Sequence, residues 1–526
     1  MSDPTTSPTN GAQALIRTLV DSQVDVCFTN PGTSEMHFVA ALDDVAEMRA
    51  VLGLFEGVVT GAADGYARIA GRPAATLLHL GPGLGNGVAN LHNARRGHTP
   101  VVNIVGDHAT YHKQYDAPLE SDIDAIAGAV SGWVHRSTAP EDVATDAAQA
   151  VVEARRSPGQ VATLILPADV SWSPSPGPVA PLPVPSPATV PADRITDLAK
   201  VLRSGAPVVF LVGGRVMRAA GQRAVARIVA ATGARAFAET FPARQERGAG
   251  LPSFDRLAYL AEFAQMQLTG AEHLVLVDAA PPVSFFAYPG KASVLQPDGC
   301  QIHQLSTWDE DPVGALEALA DELGATHDIA VAVATRPDRP TGALTSETLA
   351  AAVGALLPEG AIVSDEANTS GLFIPAATAG APVHDWMTLT GGSIGIGLPL
   401  ATGAAVAAPD RKVLALQADG SAMYTLQSLW TMARESLDVT TVIANNGSYA
   451  VLNMELNRVG AEAAGPKATA MLDLHDPSLD FVSLARGMGV PGERVETAEA
   501  LTAALERSLA EPGPYLIDAV VPPLGL

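Results

Sequence analysis

Short runs of aliphatic and β-branched residues alternate along the chain with longer stretches of helical spacing, and that alternation predicts parallel sheets covered by helices. Strands are expected at Val24–Thr29, Ala74–Leu80, Val101–Val105 and Ala162–Leu166, then at Val208–Val212, Arg235–Ala238 and Leu274–Asp278. A last group covers Ala361–Ser364, Val413–Gln417, Val439–Asn445 and Tyr515–Val520. Helices are expected at Thr60–Ile69 and Tyr424–Ser436. Two breaks divide the pattern. Residues 173–191 (SPSPGPVAPLPVPSPATVP) carry proline at nearly every second position, which suits an extended connector, and 335–342 (TRPDRPTG) form a shorter one. The predicted fold is therefore α/β, three consecutive parallel-sheet domains spanning 11–172, 192–334 and 341–526.

Composition narrows the partners. A net charge of −24 on 526 residues disfavours nucleic acid and anionic membranes, whose phosphates repel an acidic surface. A 47% hydrophobic content suffices for several cores. Cys27 and Cys300 lie too far apart in sequence for a disulfide framework or a zinc pattern. Residues 1–10 read as a polar, frayed tail with no signal-peptide character, and no apolar run approaches the ~18 residues of a membrane span. A cytoplasmic protein is expected.

The densest chemistry lies late in the chain. Asp419 follows one predicted strand and Asn445-Asn446 end the next, with a helical stretch between them. A right-handed crossover then sets a carboxylate and a carboxamide side by side at the carboxyl edge of a parallel sheet, where ligands of such sheets bind. Hard oxygen donors suit Mg²⁺, which shares its shell with phosphate oxygens. Gly420 permits close backbone approach, and the helix start near Ser421 favours an anion. The spacing predicts a Mg²⁺-diphosphate site; an ordinary strand–helix–strand unit with polar loop ends is the plainer alternative.

The D-G-S segment at Asp419 followed by N-N at Asn445 resembles the diphosphate anchor of thiamine diphosphate enzymes, although Ala418 stands where that pattern begins with glycine. Upstream segments extend the resemblance. Asn30-Pro31-Gly32-Thr33 is similar to the N-P-G-[ST] turn of benzoylformate decarboxylase, and Gly81 to Gly87 to the glycine-rich S-G-P-G-x-x-N loop of the superfamily. A dinucleotide fingerprint fits that glycine segment poorly: Asn86 stands where the third glycine belongs, and Pro82 removes an amide.

Glu56 sits in an apolar run, where an unpaired carboxylate is costly to ionise. It either caps the following helix or bonds neighbouring amides, or, as the resemblance implies, bonds the cofactor's pyrimidine ring and promotes the nucleophilic ylid. By resemblance His79 is a proton shuttle and Thr33 contacts the substrate carboxylate; a hydrogen-bonded core histidine is the alternative for His79. Cofactor contacts are expected from Asn30, Pro31, Gly32, Glu56, Asn368, Thr369, Gly392, Ile394, Gly420, Ser421, Tyr424, Asn446, Ser448, Tyr449, Ala450 and Val451. Ile394 is expected to be the apolar wedge that bends the cofactor, within a glycine-rich segment that otherwise reads as a plain helix entry. Asp419, Asn446 and the Ser448 carbonyl are the expected Mg²⁺ ligands.

The resemblance implies a thiamine diphosphate- and Mg²⁺-dependent 2-oxo acid decarboxylase or carboligase, working through an enamine with a possible carbonyl acceptor. It also implies a homodimer or tetramer with the site between subunits. A 2-hydroxyacyl-CoA lyase and a non-catalytic paralogue are the rivals. Two departures bear on substrate. The second active-site histidine of benzoylformate decarboxylase has no counterpart in Pro281–Tyr288, and Lys113–Glu120 lacks the F-Q-E of acetolactate synthases. The middle segment resembles a domain that holds FAD in acetolactate synthases and a nucleotide in some CoA-dependent lyases; Gly213-Gly214-Arg215 is too short a signal to claim either, and an empty site is expected.

Overall fold

The computed structural model of the chain describes residues 9–459 and 465–524, so most of the expected frayed tail lies outside the described residues. Six strands form the first sheet: β1 (Val26–Asn30), β2 (Arg49–Leu52), β3 (Ala74–Leu78), β4 (Val101–Asp107), β5 (Trp133–Arg136) and β6 (Val161–Pro167). Then come β7 (Val208–Val212), β8 (Arg235–Ala238), β9 (Arg244–Arg247), β10 (His273–Val277) and β11 (Gln301–Ser306). The last strands are β12 (Ile362–Glu366), β13 (His384–Thr388), β14 (Val413–Ala418), β15 (Val439–Asn445), β16 (Gly492–Val495) and β17 (Tyr515–Val520). The sheet orders are β2-β1-β3-β4-β6-β5, β11-β10-β7-β8 and β16-β17-β15-β14-β12-β13-β9. The pairings are parallel except β13 with β9. Burial on both faces of β3, β4, β6 and β7 explains their uninterrupted apolar runs.

In each sheet the chain switches sides after β2, β8 and β13 respectively, leaving a crevice at the carboxyl ends of two adjacent strands: β1/β3, β7/β10 and β12/β14. Ligands of doubly wound sheets bind at such points. The first and third are where the sequence concentrates its chemistry.

Several expectations are corrected. The helix predicted at Thr60–Ile69 begins at Glu56 and runs to Ala70. The glycine-rich segment after His79 is no loop: Leu80–Arg96 is one helix. Gly87 serves packing, because a Cβ there would press on Thr60 at 2.8 Å. The helix expected over Tyr424–Ser436 is two short ones, Asp419–Ala422 and Ser428–Arg434. The chain turns between them because Thr425 Oγ1 donates to the Gly395 carbonyl at 2.7 Å. The polar strand β9 was not anticipated at all.

The first and third sheets are joined by the helix Glu56–Ala70 crossing Gly397–Ala407. A Cβ on Gly403 would collide with the Ala62 carbonyl, and one on Gly65 with the backbone of Leu400, so these helices touch main chain to main chain. Beside them Arg68 is buried, paired with Asp64 and donating to the carbonyls of Ala243 and Thr388.

Candidate active site

Two groups of side chains stand at two of these crevices. After β1, Asn30-Pro31-Gly32 leads into a single tight turn, Thr33–Glu35. Glu35 is buried; its Oε2 accepts from the Gly32 amide at 2.7 Å and lies 2.9 Å from His79 Nδ1 at the end of β3. Ser34 Oγ donates to Glu35 Oε1 and sits 3.3 Å from the same Nδ1. A Cβ on Gly32 would strike the imidazole and one on Gly106 would strike the Glu35 carboxylate, so both glycines are conditions of this contact. A carboxylate on Nδ1 fixes the tautomer that leaves Nε2 as the exchangeable nitrogen. Thr33 is exposed and points its neighbour Ser34, rather than itself, at His79.

Glu56 opens its helix with Phe55 as N-cap, so it does not cap it from outside. The carboxyl is 7% exposed and is not unpaired: Asn86 Nδ2 donates to Oε2 at 3.0 Å. Gly83 leaves room beside it, since a Cβ there would sit 3.3 Å from Oε1. The arrangement holds a carboxyl by a neutral amide, with no cation in hydrogen-bonding range among the described residues.

The second group lies at the β12/β14 crevice. Asp419, 2% exposed, accepts from the Gly420 amide through Oδ1 (2.7 Å) and from the amides of Asn446 (3.0 Å) and Gly447 (2.6 Å) through Oδ2. Burial pushes its carboxyl above the ordinary value, and those amides oppose the shift. Asn446 is buried, donating to Ser370 Oγ at 3.2 Å while its Oδ1 accepts from Ser448 N at 2.9 Å. Gly447 has φ of +62° and its absent side chain makes room for the His475 ring. Gly420 in turn leaves room for the Tyr449 ring, and Ala450 and Val451 begin the helix Ala450–Arg458. Asp419 and Asn446 thus bring together one carboxylate and one carboxamide, oxygen donors of the kind a hard divalent cation takes.

Behind this group, Glu366 ends β12 inside the protein. Its oxygens accept from Gly395 N and Gly397 N, both at 2.7 Å, and from Gln417 Nε2 at 3.0 Å, while Gln417 also donates to Ser421 Oγ at 2.5 Å. The half-buried Ile394 is thus carried on a turn clamped to the Asp419 strand. From the other side Asn93 grips the same turn, accepting from Gly391 N and donating to the Ser393 carbonyl around Gly392. Asn368 is exposed with φ of +51°, Thr369 is half-buried, Ser421 is buried and Tyr424 is exposed. Sequence reasoning missed Ser34, Glu35, Asn86, Glu366 and Gln417; the acid two residues past the N-P-G-T turn was the one local signal for any of them.

Among the described residues no hydrogen bond or ion pair joins the Glu56–His79 group to the Asp419–Asn446 group. Contacts between the two sheets run elsewhere, such as Thr431 Oγ1 to the Leu52 carbonyl at 3.0 Å.

Comparison with known proteins gives matches to both halves. Residues 9–128 match the model for the thiamine pyrophosphate enzyme N-terminal TPP binding domain, and 376–519 the corresponding C-terminal TPP binding domain. A Mycobacterium tuberculosis protein provisionally named as an acetolactate synthase large subunit, IlvX, is 63% identical over 519 residues, covering 98% of this chain and 99% of its own length. Benzoylformate decarboxylase of Pseudomonas aeruginosa is 30% identical, over 93% of this chain and 95% of the relative. Among solved structures, a thiamine diphosphate-dependent 4-hydroxybenzoylformate decarboxylase of Rhodococcus jostii RHA1 superposes with a TM-score of 0.85 at 26% identity, covering 98% and 99% of the two chains.

Proposed function

Because the chain belongs to the thiamine pyrophosphate enzyme family, related to acetolactate synthase and benzoylformate decarboxylase, we propose that it is a Mg²⁺-dependent decarboxylase or carboligase of 2-oxo acids. The single observation that carries this reading is Glu56, a buried carboxyl held by one neutral amide in a protein that also builds an oxygen-lined crevice around Asp419. A scaffold has no physical need for both.

In this reading Asp419, Asn446 and the Ser448 carbonyl hold Mg²⁺. The amides of Gly420 and Ser421, with Asn368, Thr369, Tyr424, Tyr449, Ala450 and Val451, surround the diphosphate. The Asp419 carboxylate, costly to bury alone, is offset by the metal charge. Gly392 and Ile394 shape the middle of the cofactor, and Asn30, Pro31, Gly32 and Glu56 its pyrimidine end. When bound, thiamine diphosphate supplies a carbon nucleophile and an electron sink for loss of carbon dioxide from the substrate. Glu56 exchanges a proton with the ring. His79, oriented by Glu35, moves a proton at the substrate carbonyl oxygen, and Thr33 and Ser34 flank the carboxylate that departs.

Among the described residues the two groups are not bonded to each other within one chain, and a homodimer or tetramer would let a second copy close each site. Exposed apolar side chains close in sequence to both groups favour such an apposition: Leu54 beside Glu56, and Leu372, Met423 and Leu452 in the third segment. The division at 11–172, 192–334 and 341–526 is part of this proposal. Among the described residues no helix is long and apolar enough to cross a membrane.

The test is a panel of aliphatic and aromatic 2-oxo acids, each with and without an aldehyde acceptor, with products identified by mass spectrometry. Carbon dioxide release dependent on thiamine diphosphate and Mg²⁺ is expected, and Glu56→Gln should lower it by roughly 10²-fold or more. Unchanged turnover in that variant would overturn the assignment.

A further inference from the structure

The third crevice, at β7/β10, lies in the central sheet, and the reading of the catalytic site makes no use of it. There β7 runs into Gly213-Gly214-Arg215 and, after a tight turn, into the helix Ala219–Thr232. A strand, a glycine turn and a helix at a switch point is the arrangement that takes a phosphate on its free amides. In this chain those amides are occupied. Gly214 N donates to Glu239 Oε1 at 2.9 Å, and Arg215 N to Asp278 Oδ2 at 2.7 Å. Ala219 N, at the start of the helix, donates to Glu246 Oε2 at 2.8 Å. Gly213 N and Val216 N are satisfied by the carbonyls of Val277 and Gly213.

The cation is occupied as well. Arg215 grips Asp278 through Nε (3.0 Å) and Nη2 (2.7 Å), a two-pronged contact, and directs its remaining donors to Ser157 Oγ and the Trp308 carbonyl. Asp278 itself is buried and sits at φ of +50°, a left-handed conformation that turns its carboxylate back over the glycine turn. A Cβ on Gly214 would run into that carboxylate, so the two are in direct contact.

We propose that Asp278, Glu239 and Glu246 stand in for phosphate oxygens and seal the central crevice, so that this protein carries no flavin, dinucleotide or adenine nucleotide there. Carboxyl groups on the amides of Gly214, Arg215 and Ala219 satisfy the donors that an anionic ligand would need, and a phosphate approaching the turn meets the like charge of Asp278. The crevice works instead as a joint: Arg215 fastens the central sheet to Ser157 of the first segment, and Trp308 packs on His98 with ring centroids 4.5 Å apart.

The experiment uses the protein saturated with thiamine diphosphate and Mg²⁺, so that other phosphates are kept from the catalytic site. Acid-released small molecules are identified by mass spectrometry, and melting is followed with millimolar FAD or ADP. No flavin or adenine nucleotide should be released, and neither probe should shift the melting temperature by more than about 1 °C. Asp278→Gly, which suits the left-handed backbone and frees both Arg215 N and the guanidinium, should gain a saturable shift with ADP. Stoichiometric flavin or a saturable shift in the unaltered protein would overturn the proposal, as would a folded Asp278→Gly protein indifferent to ADP. The thiamine diphosphate response of the same sample reports separately on the catalytic reading.

Discussion

Glu35 Oε2 lies 2.9 Å from His79 Nδ1, and the two residues come from different strand ends, forty-four positions apart. The carboxylate is buried and its second oxygen takes the Ser34 hydroxyl, so the imidazole has one orientation and one favoured tautomer. Replacing Glu35 by Gln keeps the shape and removes the charge. We expect kcat for the best 2-oxo acid to fall by about 10–10²-fold with little change in KM, because an amide in place of the carboxylate no longer fixes the orientation and tautomer of the imidazole. Initial rates over a range of substrate concentrations check this; kcat and KM identical to those of the unaltered protein would remove Glu35 from the chemistry.

Asp419→Ala leaves the amides of Gly420, Asn446 and Gly447 without their acceptor and removes the one carboxylate among the expected Mg²⁺ ligands. Adding thiamine diphosphate and Mg²⁺ at a hundredfold excess over Kd stabilises a binding protein by about 2.7 kcal/mol. The unaltered chain should show that rise in melting temperature and lose it with a chelator, and the variant should show none.

Gly403→Ala tests the helix crossing. The added methyl meets the Ala62 carbonyl and the Tyr66 amide, which are main chain and cannot swing aside. Overpacking of this kind costs about 1–3 kcal/mol or more. Thermal or urea denaturation should show the loss, whereas Gly85→Ala, where a Cβ meets open space within the neighbouring helix, should be neutral or slightly stabilising.

His384 on β13 is buried, with Nδ1 bonded to the Pro382 carbonyl at 2.8 Å and Nε2 without a partner among the described residues. Burial holds its pKa down at about 4, against 6.5 unfolded. The unfolded chain therefore takes up a proton that the folded one refuses. Stability falls as pH drops from about 6.5 to 4, by at most about 3 kcal/mol from this group, and the contribution levels off below. His384→Asn should flatten that part of the curve when urea midpoints are compared at pH 7, 5 and 4.

Much of this molecule is legible in its sequence because parallel strands buried on both faces leave continuous apolar runs. The predicted Val208–Val212, Arg235–Ala238, Val439–Asn445 and Tyr515–Val520 coincide with β7, β8, β15 and β17. The neighbourhood of Asp419 and Asn446 was readable for a related reason: strand–helix–strand geometry alone brings their ends together. What failed were inferences from local composition overruled by tertiary contact. Gly81 to Gly87 looked like a loop, but helices that approach as closely as Glu56–Ala70 and Leu80–Arg96 require small residues. Thr425 looked helical until its hydroxyl is seen bonded to Gly395, thirty residues upstream. Glu35 and Glu366 could not be assigned because their partners, His79 and the amides of Gly395 and Gly397, are set by topology rather than by spacing.

β9 carries the sequence RQER, a run with no apolar residue, yet it adds antiparallel to β13, placing Arg247 over the Trp386 ring at 4.9 Å and Arg244 Nε 2.5 Å from Asp385. The seven-stranded sheet therefore borrows its border from chain synthesised well before the rest of it. A fragment beginning at residue 341 would leave β13 with a bare flank, open to pairing with other molecules. Chimaeras that exchange the last segment between relatives should fold only when the donor's own 244–247 travels with it.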